Sequence, residues 1–159
     1  MTQFAATTSV TASASREEIE RTLTRYGADQ FAYGWQDNAA MVAFRMEGRH
    51  VKFVLAMPAR DERRFTHHSR GARTPDAAAK EFDQAVRQRW RALALVIKAK
   101  LEAVESGISV FEDEFLANIV LPDGSTAGDF MRPQIHEAYR IGSMPALLPM
   151  LPAPTKESR

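Results

Sequence analysis

The stretch from Pro75 to Gly107, PDAAAKEFDQAVRQRWRALALVIKAKLEAVESG, decides the fold class of this chain. On a wheel of 100° per residue, Phe82, Val86, Trp90, Leu93, Ile97, Leu101 and Val104 fall within roughly 100° of arc, the width of a core-facing stripe. The spacing predicts one long helix, with Thr74 and Asp76 around Pro75 as its start signal and Gly107 as its stop. Fully burying that stripe contributes on the order of 10–20 kcal/mol before the entropy cost. No other stretch could supply as much, so the remaining elements should pack on this helix. On the flank away from the stripe, Lys80, Arg87, Arg91 and Lys98 lie within about 40° of one another. They form a row about 27 Å long at 1.5 Å per residue.

Upstream of the helix, residues 58–75 read PARDERRFTHHSRGARTP, with five arginines, two histidines and no periodicity. A loop of that length is either functional or disordered. Before it, three short stretches alternate with the period of a strand: Phe31, Tyr33 and Trp35; then Ala40, Val42, Phe44 and Met46; then Val51, Phe53, Leu55 and Met57. Asp37-Asn38 and Glu47-Gly48-Arg49 supply the turns, and Pro58 the end. Tight connections imply an antiparallel meander. Further upstream, Ser15 and Glu18 have capping-box spacing, which predicts a helix from Arg16 to about Tyr26, stopped at Gly27. Residues 1–14 are Thr, Ala and Ser with little to bury, and read as a flexible arm.

Downstream, Phe111, Phe115 and Leu116 suit a short helix, Ile119 to Leu121 an extended piece, and Pro122-Asp123-Gly124 a turn. Ser125 or Thr126 should cap a last helix to about Arg140, with Phe130, Ile135 and Tyr139 on its inner side and Pro133 as a kink or a late start. The Pro-rich tail 143–159, with prolines among leucines and methionines, suits extended packing or docking on a partner. The expected architecture is α+β: a short helix, a three-stranded antiparallel meander, one long amphipathic helix and a helical C-terminal extension. One domain over residues 15–142 accommodates it.

The net charge of +1 conceals a segregation. Residues 44–100 carry 14 Lys/Arg against 6 Asp/Glu, whereas residues 1–43 carry 3 against 5 and residues 101–159 carry 4 against 9. A strongly basic centre between acidic ends is the footprint of a polyanion-binding surface, and the same cations could equally solvate a helix and a loop. There are no cysteines, which excludes disulfides and thiolate metal sites. The start has no cationic apolar leader, and no apolar run approaches the roughly 20 residues needed to span a bilayer. A cytoplasmic protein of a bacterial host cell, with no membrane partner, is the expectation.

Catalytic signatures are missing. His67-His68 lacks further ligands at regular spacing, with only His50, Asp61, Glu62 and His136 at irregular distances, so no metal site is expected. Glu112, Asp113 and Glu114 point in successive directions on a helix and cannot converge on one ion. Neither a Gly-rich phosphate loop nor a nucleophile elbow occurs, so neither catalytic residues nor a cofactor are expected. What remains is the basic surface. Arg45, Arg49 and Lys52 on or near the second hairpin, Arg63, Arg64, Arg70 and Arg73 in the loop, and Lys80, Arg87, Arg91 and Lys98 on the helix could line one groove for nucleic acid. Tyr33 or Trp35, if exposed, would offer stacking platforms for unpaired bases, although alternating aromatics are more often core. Lys98 with Glu102, and Arg87 with Asp83, could instead be ordinary surface pairs.

The order helix, meander, long helix is similar to the core of the Rad52 and Red-beta type of single-strand annealing proteins, and more faintly to the double-stranded-RNA-binding domain. RYGADQFAYGWQD, RQRWRALALVIKAKLEAVESGI and FEDEFLANIVLPDG resemble small uncharacterised proteins of tailed phages and prophages over roughly residues 15–150. The phage likeness implies an origin and carries no activity; the likeness to the annealing proteins, with the basic centre, implies a non-catalytic protein that binds or anneals single-stranded DNA in phage replication or recombination, assembled as a homo-oligomer. The alternative is a phage-encoded interaction module or inhibitor that engages a host protein through its C-terminal tail. A metal-dependent nuclease has only scattered histidines and carboxylates behind it.

Overall fold

The computed structural model describes residues 5–36 and 38–143. The tail expected over 143–159 therefore lies, apart from Ser143, outside the described residues. The architecture is α+β, as the periodicities require. Helix α1 (Ala12–Arg25) precedes strands β1 (Gln30–Gln36), β2 (Ala39–Met46) and β3 (Arg49–Ala56). A short helix α2 (Arg63–Thr66), a two-residue hairpin β4 (His67–His68) and β5 (Gly71–Ala72), and the long helix α3 (Pro75–Glu105) follow. Helix α4 (Phe111–Phe115), a 3₁₀ turn (Leu116–Asn118) and helix α5 (Ala127–Ile141) complete the described elements.

The meander has strand order β1-β2-β3, antiparallel throughout. Glu47 and Gly48, both at positive φ (50° and 72°), form the two-residue turn between β2 and β3, the geometry whose twist matches the strands it joins. On β2 the expected face is buried: Ala40, Val42, Phe44 and Met46 are all 4 % exposed or less. With Val51 they meet Trp90, Leu93, Ala94, Ile97 and Leu101 of α3, Ile19 and Leu23 of α1, and Phe111 and Phe115 of α4 in one core. Phe115 stands edge-on to Phe44 at 5.8 Å and to Phe53 at 6.3 Å, so the short helix closes the end of the core that α3 leaves open. The N-cap of α3 is Thr74, whose hydroxyl accepts from the Ala77 amide.

Several expectations are corrected. The first helix begins at Ala12, capped by Thr11, whose hydroxyl accepts from the Ala14 amide. Ser15 is not a cap; it is fully buried and its hydroxyl has no hydrogen-bond partner among the described residues. Upstream of the helix, the carbonyl oxygens of Ala6 and Thr8 accept from the Gln84 side chain of α3. The arginine-rich 58–75 segment is folded: Phe65 is buried and meets Phe82 of α3 edge-on at 5.7 Å. On α5 the supposed inner residues Phe130, Ile135 and Tyr139 are 49 %, 50 % and 87 % exposed. That helix touches the rest mainly at the 3₁₀ turn, where Gly128 comes so near that an added Cβ would lie 2.7 Å from the Ala117 carbonyl oxygen. Thr126 caps α5 in a reciprocal box with Asp129, and Pro133 is accommodated inside the helix.

Candidate functional site

The first strand of the meander is an edge strand, and its side chains decide the site. Tyr33 stands opposite Val42 and Trp35 opposite Ala40, so both aromatics project to the face of the sheet that carries the helices. The helices stop short of them. Tyr33 is 59 % and Trp35 89 % exposed, although the alternation suggested core. Between this overhang and α3 runs a cleft of about 630 Å³, lined by Arg16, Trp35, Arg60, Phe82, Val86 and Trp90 among others. A second hollow of about 460 Å³ continues it along Tyr33 and Gly34 and shares Arg16, Trp35 and Trp90.

Arginines are stacked into this cleft. The Arg16 guanidinium lies 5.3 Å from the centroid of Tyr33 and 5.2 Å from that of Trp90, bridging the overhang and the helix. Arg60 lies 4.2 Å over the ring of Phe82. Asp61 and Asp83 also line the cleft, and neither forms an ion pair among the described residues. An exposed indole and phenol beside stacked guanidinium planes form a surface that can take a flat, electron-rich ring on its face and an anion at its margin.

The eleven basic residues singled out from the sequence do not form one groove. Strand alternation puts Arg45 and Lys52 on the sheet face opposite to the buried Phe44 and Val51, away from α1 and α3. Arg45 is held there by two hydrogen bonds to Asp29, at 2.8 and 2.6 Å, and Lys52 donates to the Gly124 carbonyl at 2.8 Å. The Arg45 pair holds the Asp29 carboxyl below the usual carboxylate range. Arg49 faces Glu112 at 3.9 Å. In the 58–75 segment, Arg64 pairs with Glu62 at 2.6 Å, and Arg73 donates to the carbonyl oxygens of Arg64 (2.9 Å), Phe65 and His67 while facing Glu81. Arg73 thus knits its own segment together. His67 meets the Thr66 hydroxyl and His68 accepts from the Arg70 amide, both within the hairpin region. Among the described residues no group of three or more His, Asp or Glu could hold a metal ion.

On α3, Arg91 is turned onto Glu18 of α1, so the row of four cations is interrupted at its middle. Neither Lys98–Glu102 nor Arg87–Asp83 is among the ion pairs of the described residues; Glu102 instead accepts from the Tyr26 hydroxyl at 2.5 Å. Arg63, Arg70, Lys80, Arg87 and Lys98 form no ion pair among the described residues.

No family model, curated protein or solved structure matches this chain. Arg16 escaped the sequence reading, and Arg60 entered it only as one of the loop arginines, because nothing local distinguishes them; only the packing of α1 beside the overhanging strand brings Arg16 between two rings. Among the described residues no helix is long and apolar enough to cross a membrane.

Proposed function

We propose that this chain binds single-stranded nucleic acid without catalysing a reaction on it, with DNA in phage replication or recombination as the setting the resemblance implies. The observation that carries this is Trp35, an indole 89 % exposed at the rim of a cleft where Arg16 is already stacked between Tyr33 and Trp90. An exposed tryptophan contributes little to folding, and a stacking surface beside cations suits unpaired bases joined by phosphates. Arg16 and Arg60 serve the cleft itself. Lys80, Arg87, Lys98, Arg63 and Arg70 supply the surrounding positive field, whereas Arg45, Arg73 and Arg91 act mainly in structure. A duplex hides its base faces, so single strands are preferred.

The test is fluorescence anisotropy of labelled single- and double-stranded oligonucleotides at low and moderate salt. Tighter single-strand binding that weakens with salt is expected. Absence of binding at low salt would refute the reading.

A second reading has its own observation. Helix α5 presents Phe130, Ile135, Tyr139 and Ile141, all 44 % exposed or more, near the equally exposed Leu116. A partner protein docked on that helix would make the chain an interaction module. Capture of a host protein that depends on Tyr139 and Ile135, with nucleic-acid affinity unchanged, would favour it.

A further inference from the structure

The two edges of the sheet are treated differently. The outer side of β3 is covered along its first half: Ile119 bridges to Val51, the Val120 amide donates to the His50 carbonyl at 2.8 Å, and the Asn118 side chain donates to the Lys52 carbonyl at 3.1 Å. Among the described residues nothing pairs with the outer side of β1, whose register with β2 runs unbroken from Gln30 to Gln36. Edges left open are ordinarily blunted by a charge, a proline or a bulge. Strand β1, QFAYGWQ, has no charge and no proline.

Its order is a palindrome of residue classes: amide, aromatic, small, tyrosine, small, aromatic, amide. Laid antiparallel against itself about a two-fold axis through Tyr33, the strand would set Gln30 against Gln36, Phe31 against Trp35, Ala32 against Gly34 and Tyr33 against Tyr33. Every position meets its own chemical kind. The end amides can hydrogen-bond each other, the rings pair across the strands, the small residues leave the opposite face smooth, and neutral side chains bring no like-charge repulsion. We infer that β1 is a dimerisation edge whose occupant is the β1 strand of a second copy of this chain, giving one continuous six-stranded sheet. Phe31, Tyr33 and Trp35 share the helix-facing side, so the pairing runs the aromatic overhangs of both copies together into one row.

The experiment is the mass of the full chain by sedimentation over a range of concentrations. A species of twice 17.8 kDa is expected to grow with concentration; a chain that stays at the single mass throughout overturns the proposal. The register is tested by a charge pair on the smooth face. At Gly34 an added Cβ meets nothing within 4 Å, and Ala32 is exposed, so one copy accommodates longer side chains at both positions. With Ala32→Lys and Gly34→Lys together, ammonium groups oppose each other across the two-fold axis, and association should weaken about tenfold or more. Ala32→Glu with Gly34→Lys places opposite charges at the same points and should restore it. Unchanged association in the dilysine variant, or no recovery in the Glu/Lys variant, overturns the register. Hydrogen exchange of the unmodified chain gives an independent readout: β1 amides should gain protection as concentration rises, and concentration-independent exchange would contradict the pairing.

Discussion

Arg91 of α3 forms an ion pair with Glu18 of α1, with the two side chains only 23 % and 30 % exposed. The contact joins residues far apart in sequence and ties the short helix beside the long one, so the central cation of the basic row is a structural group. Arg91→Ala should destabilise the fold by about 1–2 kcal/mol, since it strands a partly buried carboxylate. Lys98→Ala should leave the melting temperature nearly unchanged. A double-mutant cycle with Glu18→Gln measures the pair, and a coupling energy of zero would contradict this account.

Trp35 is the reverse case. Within one copy it touches little, so at concentrations where the chain is a monomer Trp35→Ala should leave Tm unaltered while removing one stacking platform, worth about 1–3 kcal/mol of binding to a single strand. Anisotropy and thermal melts on the same samples separate the two effects; a large drop in Tm would show that the indole belongs to the core.

Composition groups Arg73 with phosphate-binding arginines, whereas its hydrogen bonds to three main-chain carbonyl oxygens give it another role. Arg73→Ala should cost about 0.5–1.5 kcal/mol, since the bonds are lost while their mostly exposed acceptors turn to water. Faster hydrogen exchange confined to residues 62–73, with oligonucleotide affinity reduced less than by Trp35→Ala, is the expected result.

The buried Ser15 hydroxyl has no partner among the described residues. Ser15→Ala removes an unmet donor, keeps the volume nearly constant and favours the helix, so it should be neutral or stabilising by up to about 1 kcal/mol. Denaturant titration decides it. A clear loss of stability would mean that the hydroxyl makes a bond in solution.

Acid should weaken the fold through identifiable carboxylates. The hydrogen bonds from Arg45 depress Asp29, the Thr126 hydroxyl depresses Asp129, and Arg140 depresses Glu137. A group depressed in the folded state binds its proton more readily when unfolded. Its contribution is therefore complete above the ordinary values of 3.8 for Asp and 4.5 for Glu, and is lost as pH falls through the lower folded values. Tyr26, raised chiefly by its hydrogen bond to Glu102, adds stability that is lost above its ordinary value of 10.0, as pH passes the folded value. Melting temperature should decline below about pH 4, and Asp29→Asn should flatten part of that decline. An unchanged acid slope would remove Asp29 from the set.

The elements governed by local rules were legible in the sequence. The seven-residue stripe of α3 and its Thr74 cap, the inward face of β2, the turn at Glu47-Gly48 and the Thr126 cap are set by backbone period and by hydrogen bonds within a few residues, and they stand where the pattern puts them. Local rules failed where two segments compete for one role. Ser15 has cap spacing, yet Thr11 caps the helix because the extra turn brings Ser15 into the core. Phe130, Ile135 and Tyr139 lie on the apolar half of α5, but a helical period cannot tell whether a neighbour exists to cover it.

The functional surface belonged to the tertiary structure. Sequence alone established that positive charge concentrates between residues 44 and 100 and that aromatics alternate along β1. Which cations are free depended on contacts between distant segments: Asp29 with Arg45, Glu18 with Arg91, and the carbonyl oxygens around Arg73. Whether Tyr33 and Trp35 were core or surface depended on how far the helices extend over the sheet. That extent follows from the packing of α1 and α3 on β2, because helices settle where apolar area is buried most completely, and at the margin Tyr33 and Trp35 stay in water.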